Sequence, residues 1–217
     1  MTEEKWLAAT NPLHLLMYVR RTKPGLRSAP NRRKARLFAC ACVRNLGPAI
    51  ITAADRAVIE VAEGFAEGKV TKEQLEATRR SIWATEAIPR SSSLRLMLGA
   101  ICYAEIWNAV KAWRDASHKC WEPIRKITSA EEKRIQASLV REIFGNPFRP
   151  VAFDPKWGTS TAVALARGIY QDRAFDRLPI LADALQDAGC ETTDILDHCR
   201  GPGPHVRGCW VVDLLLA

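Results

Sequence analysis

Near the C-terminus, Cys199, His205 and Cys209 follow the spacing Cys-x5-His-x3-Cys, with His198 adjacent to the first. Thiolate and imidazole are preferred zinc ligands, and a tetrahedral site needs four donors. Gly201, Pro202, Gly203 and Pro204 lie between them and let the backbone turn tightly around an ion. Cys40 and Cys42 offer further thiolates if the first and last segments meet. On a helix, however, their side chains stand about 200° apart, so one helix cannot aim both at one ion. The spacing is not that of a standard zinc finger or ribbon. The plainer alternative makes Cys40, Cys42, Cys102 and Cys209 small core residues and lets the histidines hydrogen-bond in a loop. The sequence demands no cofactor, and zinc is the one it allows.

Arg200, His205 and Arg207 in the same stretch form a candidate anion loop. Glycine lets backbone N–H groups approach an anion, and guanidinium matches phosphate. The two prolines remove donors, and the loop matches no Walker or Rossmann pattern. Its alternative is a structural turn whose arginines satisfy helix C-terminal carbonyls. Asp194, Asp197, His198 and His205 could serve a hydrolase, because a carboxylate can orient an imidazole for proton transfer. No nucleophile elbow, His-Glu-x-x-His helix or phosphate loop accompanies them, so the expectation leans away from an enzyme.

The formal net charge of +8 sits in the first 50 residues, which hold ten Lys/Arg against two Asp/Glu. Eight of those cations fall between positions 20 and 36: Arg20, Arg21, Lys23, Arg27, Arg32, Arg33, Lys34 and Arg36. Such clustering can neutralise phosphates and release counterions. It points to a binding or adaptor module that contacts an acidic partner, with nucleic acid ahead of an acidic protein surface, acting alone or within a larger complex. The competing reading is a solvated face paired with acids elsewhere, and residues 172–197 carry seven of them. A small zinc-stabilised regulatory domain is the second functional reading.

The elements that must position these groups are helical. Apolar residues recur with a 3.6 period nearly throughout, and no strand-like alternation or Asn-Gly hairpin appears. Asn11 before Pro12 predicts a helix with Leu13, Leu16, Met17 and Arg20 on one face. Thr52 predicts another cap, and Thr71 with Gln74 a capping box. Ser129 with Glu132 predicts another capping box, for a helix ending at Gly145. The pattern predicts a long helix over 94–116 after a break at 89–93. Two prolines three apart make residues 145–157 an extended strap carrying Phe148 and Phe153 to a core. Helices resume at 159–172 and 176–188, with a turn at 192–199 and a terminal helix or strand at 209–216. Trp83, Trp107, Trp113 and Trp121 mark the middle region; with its neighbouring cations, Trp113 is a candidate base-stacking residue.

The expectation is an all-α fold: one domain over 1–217, a multi-helix bundle or stacked helical pairs, with a basic subregion over 1–50 and a C-terminal loop and cap over 198–217. With 47% apolar and 26% charged residues it has a globular balance. No apolar run reaches the ~20 residues of a bilayer span. The start lacks the basic-then-apolar pattern of a signal peptide. Seven cysteines are too sparse for a disulfide scaffold. A soluble, cytoplasmic protein without a membrane partner is expected.

Three blocks carry a resemblance: FGNPFRPV at 144–151, DRLPILADAL at 176–185 and HCRGPGPHVRGCW at 198–210. With TEEKWL at 2–7 and RLFACAC at 36–42, the chain resembles an uncharacterised family of short proteins encoded by planctomycete bacteria. The likeness covers both ends and leaves residues 80–128 outside it. It implies no activity.

Overall fold

The computed structural model describes residues 1–22, 29–47, 50–84, 93–102 and 130–216. The described residues form eleven α-helices and two short 3-10 turns, with no strand, so the fold is all-α as expected. No helix among them is long and apolar enough to cross a membrane. The predicted helix beyond residue 102, the capping box at Ser129, and Trp107, Trp113 and Trp121 lie outside the described residues.

In chain order the helices are α1 (Glu3–Ala8), α2 (Pro12–Thr22), α3 (Ala29–Arg44), α4 (Ala53–Ala66), α5 (Lys72–Ala84), α6 (Ser93–Ile101), α7 (Ala130–Phe144), α8 (Ser160–Asp172), α9 (Leu178–Asp187), α10 (Thr193–Arg200) and α11 (Trp210–Leu216). They fall into two compact units, Ala9–Ala137 and a second made of Met1–Ala8 with Ser138–Ala217.

In the Ala9–Ala137 unit, α3 packs on α4 and α6. Its sequence predicts a stripe of Leu37, Phe38, Ala41 and Cys42. The structure buries the whole run from Ala35 to Val43, because neighbours cover more than one face. The caps appear as read. The Thr52 and Asp55 side chains satisfy one another's backbone N–H groups, and so do those of Thr71 and Gln74. In α2 the buried stripe is Leu15, Leu16 and Val19, and Met17 is 53% exposed, contrary to the predicted face. Starting at Pro12, positions 12, 15, 16 and 19 keep the i, i+3, i+4, i+7 spacing, so the face is turned from the expected one.

The basic segment loses part of its cationic surface to the fold. Lys23 and Arg27 lie outside the described residues, as does the side chain of Arg20. Arg21 and Arg32 are exposed, and Lys34 is half-buried. Arg33 pairs with Glu67, the C-cap of α4, at 3.0 Å, and so draws its acid from this unit rather than from residues 172–197. Arg36 is only 2% exposed. Its guanidinium donates to the Ile101 carbonyl at 2.6 Å and stands over the Phe65 ring, so this residue belongs to the core.

Arg36→Ala is therefore expected to act on stability. It orphans a buried carbonyl and vacates core volume, a loss of about 2–3 kcal/mol. Urea unfolding reads this directly. A variant with wild-type stability would show that the guanidinium does not support the core.

In the other unit, α8, α9, α10 and α11 pack around Trp157, Ile169, Leu178, Leu181, Leu185, Ile195 and Val212. The strap delivers Phe153 to this core; the larger anchor it carries is Trp157, edge-on to Phe153 at 6.0 Å. α1 belongs here too. Arg141 of α7 donates twice to the Trp6 carbonyl, and Glu3 accepts from Asn146 and pairs with Arg149. Residues 192–199, expected as a turn, extend into the eight-residue α10, and the terminal segment is a helix.

Candidate metal centre

Four side chains converge inside this unit: Glu142, His198, His205 and Cys209, whose donor atoms all lie within 4.8 Å of one another. Each is placed by an ordinary local rule. Glu142 sits three residues after Leu139 on α7, on a face turned inward, and is 4% exposed. On α10 the core-facing residues are Ile195, Leu196 and Cys199. His198 flanks them and looks along the edge of the helix.

Gly201 ends α10, and a turn through the cis Gly203–Pro204 bond brings His205 back toward that helix end. Gly203 has φ +84°, and a Cβ there would stand 2.7 Å from the His205 nitrogen, so only glycine fits. Gly208 then turns the chain so that Cys209 immediately precedes α11.

Glu142 is the hub. Its Oε1 accepts from the Val206 backbone N–H at 3.3 Å. Its Oε2 lies 3.2 Å from His205 Nδ1 and 3.2 Å from His198 Nε2. His198 Nε2 is also 3.3 Å from Cys209 Sγ. Zinc bonds of about 2.0 Å to nitrogen and 2.3 Å to sulfur make tetrahedral edges of about 3.3–3.7 Å. Three of the six separations, at 3.2–3.3 Å, lie at the short end of that range, and the others are within 4.8 Å.

Burial alone would push the Glu142 carboxyl up, but hydrogen bonds and charge from His198 and His205 hold it down at about 2. Burial pulls the other way on His205 as well. Its contacts with Glu142 and the Gly201 carbonyl outweigh that and raise its pKa. Burial drives the Cys209 thiol well up, with the Glu142 charge adding to it. A thiol in that position becomes a thiolate only with a cation at hand.

His205 is held as a ligand should be. Its Nε2 donates to the Gly201 carbonyl at 3.1 Å, so the ring keeps that proton when Nδ1, which faces Glu142 Oε2 at 3.2 Å as a donor, gives up its own to bind an ion.

Of the sequence candidates, the structure brings His205 and Cys209 together and leaves Cys199 out. Cys199 lies on the core side of α10 with its thiol pushed up to about 12 by burial. Its neighbour His198 takes the place, and Glu142 is the member that spacing did not nominate. Cys40, Cys42 and Cys102 are buried in the Ala9–Ala137 unit, as core residues there.

The anion-loop residues go to three separate partners. Arg200 pairs with Asp183 at 2.7 Å, and Arg207 donates to the Tyr170 and Gln171 carbonyls at the end of α8. His205 belongs to the Glu142 group. Of the three, Arg207 alone follows the helix-capping alternative stated above. Asp194 pairs with Arg149, Asp197 is exposed, and the carboxylate that meets both histidines is Glu142.

Comparisons with protein-family models, curated proteins and solved structures find no match to this chain.

Proposed function

We propose that the unit formed by residues 1–8 and 138–217 is a zinc-binding domain, with Glu142, His198, His205 and Cys209 as the ligands. The observation that supports this is their convergence from α7, α10, the following loop and the start of α11, with three donor separations of 3.2–3.3 Å. Two imidazoles, a thiolate and a carboxylate suit zinc better than calcium or magnesium, which prefer all-oxygen shells. Four protein donors complete a tetrahedron and leave no open position for a water nucleophile. The role is therefore structural: the ion ties the C-terminal loop and α11 to α7. Such a clamp fits a regulatory or interaction domain better than a hydrolase.

Elemental analysis of the full chain, purified without chelator, is expected to find about one zinc per chain. Co2+ added to the stripped protein is expected to give tetrahedral d–d bands and a sulfur charge-transfer band, the latter missing in Cys209→Ser. No metal and no cobalt spectrum would reduce the four side chains to a buried hydrogen-bond network.

The adaptor reading of the basic segment, with nucleic acid or an acidic protein as partner, has less behind it. Arg36 is buried and Arg33 is held by Glu67.

A further inference from the structure

We propose that the Trp210 indole restrains metal binding at this centre, as a positioning residue that holds His198 in the form that cannot ligate through Nε2. The inference rests on the zinc reading above and deepens it.

An indole N–H can only donate. That of Trp210 lies 3.1 Å from His198 Nδ1, so Nδ1 must present its lone pair. A neutral imidazole then carries its proton on Nε2, the nitrogen that faces Glu142 Oε2 and Cys209 Sγ. Both of those atoms accept a proton, so the arrangement is satisfied as it stands.

Ligation through Nε2 requires the reverse. Nε2 must give its lone pair to the ion, and the ring proton must sit on Nδ1, where it meets the indole N–H donor to donor. Flipping the ring does not help, since it sets a C–H against the indole and withdraws Nε2 from the group. His205 meets no such obstacle, because the Gly201 carbonyl already fixes its proton on the far nitrogen. On ligation, then, His205 keeps the hydrogen bond of its second nitrogen, and His198 loses that of its own.

The indole is seated where it can act this way. Its ring centroid is 5.1 Å from that of His198, and it lies over Gly145. A Cβ at Gly145 would reach within 3.4 Å of Trp210 Cγ. Loading the site therefore costs the Trp210–His198 hydrogen bond and displaces the indole. Because Trp210 is the residue after Cys209, occupancy is transmitted directly to the first turn of α11.

The test titrates Co2+ into the full-length chain and into Trp210→Phe, which keeps a ring and removes the donor. The variant is expected to bind Co2+ about fivefold to tenfold more tightly, the value of one lost hydrogen bond, with the same band pattern. A tryptophan that merely supports the site would give weaker binding on substitution. Unchanged or weaker binding by a variant of wild-type circular dichroism overturns the proposal while leaving the zinc reading intact. Failure of both chains to bind Co2+ overturns the zinc reading and this inference with it. Should Trp210→Phe not fold, 15N-labelled wild-type protein supplies the measurement. The Trp210 indole N–H signal is expected to shift and to exchange faster with solvent on Zn2+ addition. A signal unmoved at saturation overturns the proposal.

Discussion

Glu142→Gln is expected to lower the unfolding free energy of the metal-free chain by about 3 kcal/mol at neutral pH, because breaking a buried charged pair costs roughly 3–5 kcal/mol. The side chain is 3% exposed, and its two oxygens meet three donors: the Val206 N–H and the facing nitrogens of His198 and His205. The amide keeps the shape and the Val206 contact but removes the charge. A carboxyl held at about 2 instead of 4.5 carries an interaction of the same size, at about 1.4 kcal/mol per unit. Asp183→Asn is the useful contrast. The Arg200–Asp183 pair is shorter, at 2.7 Å, but its side chains are 42% and 69% exposed, so solvent screens it. A loss below about 1 kcal/mol is expected there. Against a total stability of about 5–15 kcal/mol the first change is severe and the second minor. Zinc affinity is expected to fall upwards of about 100-fold in Glu142→Gln, since even outer-shell partners carry 10–100-fold. Urea unfolding with and without Zn2+ checks both figures. A stability loss below about 1 kcal/mol would show that the carboxylate is not the hub of this cluster.

What the sequence makes legible is what local geometry decides. Thr52, Thr71 with Gln74, and Asn11 all cap as read, because the groups they satisfy lie within three residues. Gly145 stops α7 at a positive φ for the same kind of reason. The metal cluster depends on chain returns that no local rule contains. Glu142 and His205 are 63 residues apart. The signal that nominates Glu142 is an acid three residues after Leu139, on the apolar face of a helix. Cys199 and His198 show the other limit. A spacing motif counts residues, whereas a helix turns about 100° per residue. That one step puts Cys199 against the core with Ile195 and aims His198 at Glu142. The basic segment is legible as composition but not as surface. Whether Arg36 faces water depends on α4 and α6, which cover it.

Zinc is expected to reverse the slope of stability against pH above about pH 6.5, where an ordinary histidine loses its proton. In the metal-free chain Glu142 is held below its ordinary value. Its contribution is present above about pH 4.5 and is lost as pH falls toward 2. His205 is raised, so the folded chain keeps a proton that the unfolded chain has released. Its contribution is complete below about pH 6.5 and disappears as pH rises through the raised value. The contribution of this pair to metal-free stability is therefore largest between about pH 4.5 and 6.5 and declines on either side. With zinc bound, the folded chain holds Cys209 as thiolate and both histidines neutral. The unfolded chain binds more protons than this up to about pH 8.5, where a free thiol ionises. Stability then climbs from about pH 5 to about 8.5, by up to about 1.4 kcal/mol per pH unit for each proton released. Urea midpoints measured at intervals between pH 5 and 8.5, in EDTA and in excess Zn2+, give the two curves. Parallel curves would mean that the ion does not compete with protons for these side chains, and the assignment of His198, His205 and Cys209 as its ligands would fall.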